Sequence, residues 1–417
     1  MTMATVLPIL ALLALLAAIA LGFWTGIHLG IISVTFAFIV GYFFVGMNPS
    51  DIYLSGWPIN LFFMLTGMTL LFGIAKINGT FAVLAKQISA FSFGSGKLMC
   101  LIIYMFSAVV AMVGVGTIVT PAVLMPLIVE IAKEEDIPEN LAILLCIAGS
   151  IAGGLSPLAP TGVVGIELGQ RIGFEAYASV FQMALFTFSI HGVLFFFAFG
   201  GWRLKKKPPK PKPPLVLDTS QRYTLSVIGV VILCVLLFKF DLGLTAFLGT
   251  GILMILGAVD QDEAIANVSW STLILICGVS VLVNVVKVSG GIDLMAEFLT
   301  KIMTPRTAPT IMNTLGGLMS SVSSASGVVM PTLIPTIPGI MAKLGSDTNL
   351  TQMVAGVIIG AHVVPYSPLS TMGAIGMSAS SERSNKDRLF LELLASAFVL
   401  LLFTSCLYWL GVYNMFA

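Results

Sequence analysis

The composition of this 417-residue chain is that of a membrane protein, with 58% hydrophobic and 9% charged residues. Soluble domains carry about 25% charged residues, so a soluble globular fold is excluded. The 20 basic and 19 acidic residues nearly cancel, so net charge gives no argument for a nucleic-acid partner. The five cysteines lie far apart in apolar runs, which indicates neither a disulfide framework nor a metal cluster.

Ten apolar runs are candidates to cross a bilayer, which takes about 20 residues, and they form two groups of five. The first run has no Lys or Arg before it, so we expect a membrane helix there rather than a cleaved signal peptide. The predicted spans are 6–24, 27–46, 57–76, 141–168 and 176–200, followed by 223–240, 243–259, 270–288, 350–380 and 389–413.

Each half also contains an apolar stretch with Gly, Ser, Thr and Pro at its middle, at 98–132 and 307–342. We interpret each stretch as a re-entrant helical hairpin, which enters the membrane and returns to the side it came from. Each half then crosses five times, an odd number, so the second half is inserted upside down. The expected fold is an all-α polytopic membrane protein with two inverted-topology repeats.

A basic, proline-rich linker, 203–222, separates the first repeat, 1–202, from the second, 223–417. Its composition predicts an extended, solvated connection. Because cytoplasmic loops carry the excess of Lys and Arg, we place the linker in the cytoplasm. Both termini are then expected outside the cytoplasm.

An internal repeat is visible in the sequence at a fixed offset of 211 residues. Six identities fall within 17 positions, and a paired Ser-Pro-Leu is not expected from apolar low complexity. The matches join Gly149, Ser156, Pro157, Leu158, Gly162 and Gly165 to Gly360, Ser367, Pro368, Leu369, Gly373 and Gly376.

The repeated prolines, Pro157 and Pro368, lie inside the spans 141–168 and 350–380 and predict two broken helices. Proline leaves backbone carbonyls without helical partners, which is tolerated at membrane depth only beside protein or a water-filled cavity. In transporters built from inverted repeats such breaks mark the binding site. A simpler interpretation is a kink whose backbone is satisfied by Ser156 or Ser367. Two symmetry-related breaks favour the binding site.

The hairpins supply small and hydroxyl-bearing residues near the breaks, which offer donors to a carboxylate or oxygens to Na⁺. The alternative is that small residues only allow close helix packing. Candidate substrate-binding residues are Gly116, Thr117, Thr120, Pro157, Thr161, Ser324, Ser326, Gly327, Pro368, Ser370 and Thr371. Candidate Na⁺ ligands are Thr117, Ser156, Ser326 and Ser367.

No Asp or Glu lies well inside a predicted span. Proton-coupled carriers usually need an intramembrane carboxylate, so its lack favours a cation held by neutral oxygens, as Na⁺ is. His362, six residues before Pro368, could bind substrate or move protons, although a histidine satisfied by a neighbouring carbonyl is the simpler interpretation. No catalytic pair is visible at membrane depth, so we expect neither an enzyme nor an organic cofactor.

With a hairpin and a broken helix in each half, the chain resembles the ion transporter superfamily. Within it, the chain is similar to the divalent-anion/sodium symporters and the bacterial malonate/dicarboxylate carriers. The symporters carry Ser-Asn-Thr at both hairpin tips, where this chain has Gly-Thr-Ile at 116–118 and Ala-Ser-Gly at 325–327. The carboxylate-binding Asn is therefore absent, whereas Thr117, Thr120 and Ser326 keep the hydroxyl chemistry.

The resemblance implies a secondary active transporter for a small organic anion, a dicarboxylate such as malonate or a C4 acid, coupled to Na⁺. It also implies an elevator mechanism, in which hairpins and broken helices move against a scaffold, and a homodimer in a bacterial inner membrane. Two alternatives of the same fold are an H⁺-coupled anion carrier that uses His362 and a cation/proton antiporter. The missing acidic residues argue against the antiporter.

Overall fold

The computed structural model describes residues 3–207, 216–321, 323–345, 348–380 and 385–416. The described residues are helical with short connections, and none of them forms a β-strand. One isolated bridge pairs Ser95 with Lys206.

The helices of the first half begin with the two apolar segments that the composition predicts. A π-helical turn extends α2 over Ile39–Val45, and another extends α6 over Ala111–Val115. The helices are α1 (Met3–Thr25), α2 (Leu29–Phe38), α3 (Pro49–Gly56), α4 (Ile59–Ile77), α5 (Thr80–Ile88), α6 (Gly96–Val110), α7 (Val119–Glu134), α8 (Glu139–Gly154), α9 (Pro160–Gln170) and α10 (Tyr177–Ala198).

The helices of the second half follow the same order. A π-helical turn, Ala325–Val329, precedes α17, and 3₁₀ turns at Ile334–Thr336 and Val364–Tyr366 follow α17 and α19. The helices are α11 (Thr219–Phe238), α12 (Leu242–Ile255), α13 (Gln261–Ala266), α14 (Trp270–Val288), α15 (Gly291–Thr300), α16 (Ala308–Ser320), α17 (Met330–Leu333), α18 (Ile337–Leu344), α19 (Leu350–Val363), α20 (Thr371–Ala379) and α21 (Lys386–Trp409).

Within the described ranges, seven helical segments are long and apolar enough, by length and composition, to cross a membrane. Shorter apolar helices, such as Leu242–Ile255, accompany them. The protein is therefore an all-helical polytopic membrane protein. The seven segments are Ile59–Ile77, Gly96–Val115, Tyr177–Ala198, Trp270–Val288, Ala325–Leu344, Leu350–Ala379 and Lys386–Trp409.

The 211-residue offset of the sequence also appears in the helix bounds. Helix α4 spans 59–77 and α14 spans 270–288, so both of their ends differ by 211. The starts of α8 and α19, at 139 and 350, and those of α9 and α20, at 160 and 371, differ by the same number. The inverted insertion of one half and the return of each hairpin to its own side stay predictions.

Close backbone contact joins each hairpin to its broken helix. Helix α6 packs along α8, and α16 packs along α19. A Cβ atom on Gly149 would collide with the Tyr104 carbonyl oxygen, and one on Gly360 would collide with that of Asn313. The repeated identity Gly149/Gly360 therefore has a packing reason: two helix backbones touch at each position, and small residues allow this close approach in membranes.

The linker region begins and ends in ordered contacts. Lys207 forms an ion pair with Asp136 at 2.6 Å and donates a hydrogen bond to the Glu134 carbonyl oxygen at 2.9 Å. Helix α11 begins at Thr219, earlier than the predicted 223, because Asp218 and Gln221 form a capping box. The proline-rich part predicted to be extended, 208–215, lies outside the described residues.

Candidate functional site

The first break separates α8 from α9, and Ser156 connects it to the first hairpin. The Ser156 hydroxyl donates to the carbonyl oxygen of Met112 at 2.7 Å and accepts from the Leu158 amide at 3.2 Å. Met112 lies in the π-helical turn that ends the first arm of the hairpin. The side chain that stabilises the break therefore also fixes it against the hairpin tip.

The second break, between α19 and α20, has a related but not identical arrangement. The Ser367 hydroxyl accepts from the Leu369 amide at 3.2 Å, as Ser156 does from Leu158. The Ser370 hydroxyl lies near the carbonyl oxygens of Pro365 and Ser367, at 2.7 and 2.9 Å. Serine side chains thus satisfy backbone groups beside each break, which agrees with the simpler interpretation of the breaks.

One glycine after each break allows the chain to fold tightly there. A Cβ atom on Gly162 would overlap the carbonyl oxygen of Ser156, and one on Gly373 would overlap that of Ser367. These residues are related by the 211-residue offset. The first turn of each following helix therefore rests on the carbonyl of the serine that precedes the proline.

The first hairpin tip turns at Gly114 and Gly116, whose φ angles of 125° and 86° are in the region that glycine tolerates. Thr117 follows, and its Oγ1 atom lies 3.1 Å from Oγ1 of Thr161 in the first turn of α9. The Thr120 hydroxyl donates back to the Gly116 carbonyl oxygen at 2.8 Å. Tip and break therefore meet through one threonine pair.

The second hairpin tip is a serine-rich turn after α16. The Ser324 side chain accepts from the Gly327 amide at 3.1 Å and so caps the helical turn that follows. The Ser323 hydroxyl donates to the Met319 carbonyl oxygen at 2.7 Å. Val322 lies outside the described residues.

Two adjoining cavities lie where the tips and breaks meet. The larger, of about 280 Å³, has a wall of serine and threonine side chains from the second tip, the second break and Thr117. The smaller, of about 60 Å³, lies between the first tip, the start of α9, and helices α4 and α14. Thr117 and Ser326 line both cavities, so we treat the two as one candidate site.

The structure places seven of the predicted site residues on the cavity walls. Four others, together with the two remaining Na⁺ candidates, lie beside the walls but do not line either cavity, and their roles stay predictions. The lining residues are Gly116, Thr117, Thr161, Ser324, Ser326, Ser370 and Thr371. The others are Thr120, Pro157, Gly327, Pro368, Ser156 and Ser367.

The site is polar without permanent charge. Among the described residues that line the two cavities, none is Asp, Glu, Lys or Arg. The ionisable one is His362, which is buried and whose Nδ1 lies 2.7 Å from the Ile358 carbonyl oxygen. Because a carbonyl only accepts, Nδ1 carries the hydrogen, and Nε2 is left for a ligand.

Four helical starts converge on the cavity walls. Wall residues stand at or beside the first residues of α7, α9 and α20 and of the π-helical turn at Ala325. The first turn of a helix has unpaired N–H groups and carries the positive end of the helix dipole. The site therefore offers neutral N–H and O–H donors in a positive potential, which suits an anion.

A family model described as citrate transporter matches residues 2–360 of the chain. The chain belongs to the citrate transporter family. This family is part of the ion transporter superfamily of anion/Na⁺ symporters, so the resemblance stated from the sequence is confirmed. No curated protein matches the chain.

The citrate transporter family match covers both hairpin tips and the first break and ends before the second break at Ser367. Membership makes the chain a membrane-embedded transporter for an organic anion. A transporter family also agrees with the expectation that the chain is not an enzyme.

Sequence reasoning missed one wall of the candidate site. Thr69 of α4 and Thr272 of α14 line the smaller cavity, but no motif marks them. Ser320, Ser321 and Ser323, which are not among the candidate site residues, also line the larger cavity. The 211-residue offset relates Thr69 to Ser280, so both halves carry a hydroxyl at this place.

Proposed function

We propose that the protein is a secondary active transporter that carries citrate or a smaller dicarboxylate, such as malonate or a C4 acid, together with Na⁺. The observation that carries this proposal is the convergence of four helical starts on a hydroxyl-lined site whose described residues include no permanent charge. Carboxylate oxygens accept hydrogen bonds from amide and hydroxyl donors, and such donors form these walls.

Charge balance supports a co-transported cation. Helix starts each act as roughly half a positive charge, which falls short of the charge of a fully ionised tricarboxylate once solvent is excluded. Since Lys and Arg are absent from the described lining, a bound cation supplies the balance for citrate. Na⁺ prefers oxygen ligands, and the hydroxyls of Thr117 and Thr161, 3.1 Å apart, can offer two. Ser326, which lines both cavities, is placed to contact cation and anion.

The arrangement of the helices supports an elevator mechanism. The tips and breaks surround the site, while α4 and α14 contribute one wall of the smaller cavity. Helix α4 packs against α12, and α14 packs against α2, which joins scaffold helices of the two halves. We propose that the hairpins and broken helices move along this scaffold, in a homodimer inserted with the linker in the cytoplasm.

One observation favours a second candidate, an H⁺-coupled anion carrier. His362 lines the larger cavity and presents Nε2 as the nitrogen without an intramolecular carbonyl partner. A histidine in that position could gain and lose a proton with substrate. The two candidates differ in the ion that drives transport and share the same anion site.

Counterflow in proteoliposomes tests the proposal. Vesicles loaded with unlabelled citrate, malonate or succinate should accumulate the labelled acid when Na⁺ is present and not when choline replaces it. The citrate measurement is repeated with EDTA and with excess Mg²⁺. This compares the free acid with its metal complex, because tricarboxylates chelate divalent cations. Uptake that needs low pH and ignores Na⁺ would favour the H⁺-coupled carrier. The absence of saturable counterflow with all three acids would refute the carrier.

A further inference from the structure

A second, larger cavity of about 670 Å³ is lined by α9 and α14, which also line the candidate site. Its walls include the end of α9, the second half of α14, α3 and the prolines of the second hairpin. Its polar wall residues include Arg171, Ser280, Asn284 and Lys287.

The candidate site and this second, larger cavity are lined by the same three elements: α14, α9 and the outgoing arm of the second hairpin. On α14, Thr272 and Ile276 line the candidate site, and Ser280 and Asn284 line the second cavity, at steps of four residues on one helix face. On α9, Val164 lines the candidate site and Leu168 lines the second cavity.

The outgoing arm of the second hairpin repeats this pattern, with Ser326 in the first cavity and Pro331 and Pro335 in the second. Four residues rise about 6 Å along a helix. One helical turn therefore separates the candidate site from the second cavity.

The second cavity is lined by charged side chains that the candidate site lacks. Lys287 is exposed and has no ion-pair partner in the described part of the chain. Arg171 pairs with Glu167 on its own helix at 3.3 Å and keeps further N–H donors. Asp293 is the opposing carboxylate on the wall. Among the described residues that line this cavity, Lys287 is the cation without an ion-pair partner.

An unpartnered donor lies between these charges and the site. The Nδ2 atom of Asn284 is buried and has no hydrogen-bond partner in the described structure. A buried amide without a partner is destabilising, and a hydrogen bond to a carboxylate or a water would remove that cost. The residue at the same place in the first half is Gly73, so this donor belongs to the second half only.

We propose that this cavity is an access vestibule, in which the carboxylate substrate first binds before it moves one turn along α9 and α14 into the candidate site. Lys287 attracts the anion, Arg171 offers the N–H donors that Glu167 leaves free, and Asn284 donates to the carboxylate. The proposal rests on the proposed function for the identity of the anion. Electrostatic focusing by such a cleft raises the local concentration of a charged substrate.

Thiol labelling tests the vestibule without any need for transport. Ser55 is exposed on the vestibule wall, and Ser55→Cys places a thiol there. The measured quantity is the reaction rate with a sulfonate-bearing methanethiosulfonate divided by the rate with a trimethylammonium-bearing one. This ratio should be higher for the thiol at residue 55 than for free cysteine. The added Lys287→Gln substitution should slow the sulfonate reagent and speed the trimethylammonium reagent, each by up to about fivefold, so the ratio should fall by up to about 25-fold. Fivefold is the size expected when one unit charge is removed about 4 Å from a singly charged reagent in water.

Lys76→Gln is the matched control, because Lys76 is exposed and stands 211 residues before Lys287 at the end of α4. It should leave the ratio unchanged, and the parent chain with its five native cysteines gives the background. An unreactive thiol at residue 55, or a ratio that Lys287→Gln does not lower, would overturn the proposal.

Transport kinetics give a second test. Lys287→Gln should raise KM for the anion several-fold at low ionic strength and leave kcat unchanged, and the difference from the parent should shrink at high salt. If the parent transports no carboxylate, the proposed function fails while the labelling result still decides the vestibule. If the parent transports and the KM of Lys287→Gln is unchanged, the vestibule fails and the function stands.

Discussion

Thr117 and Thr161 meet with their Oγ1 atoms 3.1 Å apart, and this contact joins the first hairpin tip to the first broken helix at the cavity wall. Two hydroxyls at this distance share one hydrogen and still offer a free donor and lone pairs. The pair is therefore suited to hold either a carboxylate oxygen or a cation.

Removing the Thr117 hydroxyl should weaken anion binding. We expect Thr117→Val, which keeps the shape, to raise the Kd for citrate about 5–10-fold, since one hydrogen bond is worth about 1 kcal/mol. Thr117→Ser should bind nearly as the parent does. The measurement is thermal stabilisation of the detergent-purified protein over a citrate titration. An unchanged titration curve for Thr117→Val would remove Thr117 from the site.

Ser326 should matter because it lines both cavities. Ser326→Ala is expected to raise the Kd for the anion and the half-saturating Na⁺ concentration together, while Tm without ligand stays within about 1 °C. Ser378→Ala is the control, since Ser378 is an exposed serine of α20 whose hydroxyl donates to Ile375 at 2.9 Å. A loss of Na⁺ response without a change in anion affinity would assign Ser326 to the cation alone.

The glycines after the breaks should not accept a methyl group. Gly162→Ala and Gly373→Ala each place a Cβ on a serine carbonyl oxygen, and such overpacking costs about 1–3 kcal/mol. We expect a lower Tm and weaker transport for both. Gly251→Ala is the control, because a Cβ there meets no heavy atom within 4 Å, and helix propensity favours alanine by about 1 kcal/mol. Parent-like stability of either break variant would mean that the chain after the break is not packed as described.

His362 separates the two coupling hypotheses. If Na⁺ drives transport, His362→Gln should keep Na⁺-dependent uptake and the pH profile of the parent, with a modest rise in KM because the side chain lines the larger cavity. If protons drive transport, the same variant should lose the response to a pH gradient and keep counterflow. Uptake driven by a Na⁺ gradient and by a pH gradient, measured in the same vesicles, distinguishes these outcomes.

The helix breaks were predictable because proline acts locally. Pro157 and Pro368 lack the amide hydrogen wherever they stand, so a long apolar run with a repeated Ser-Pro-Leu points to an interruption. The start of α11 was missed because a capping box depends on two side chains, Asp218 and Gln221, that read as linker.

The direction of each hydroxyl was not predictable. Thr120 and Ser156 carry the same group as Thr117 and Ser370, yet the first two lie off the cavity walls and the last two lie on them. Which side a hydroxyl faces depends on turn geometry and on neighbouring carbonyls. The wall from α4 and α14 depends on tertiary packing between halves far apart in the chain, which residue types do not encode.

The uncharged lining of the site has an electrical consequence. Moving one elementary charge through the full membrane potential is worth about 2.3 kcal/mol per 100 mV. The described residues that line the two cavities include no Asp, Glu, Lys or Arg, so an empty site that crosses the bilayer carries no side-chain charge with it. In the proposed elevator mechanism, these cavity walls therefore add no permanent side-chain charge to the voltage dependence of the unloaded return. The current in each cycle equals the charge of the anion plus its cations, so a current measured per molecule of substrate counts the coupled ions directly.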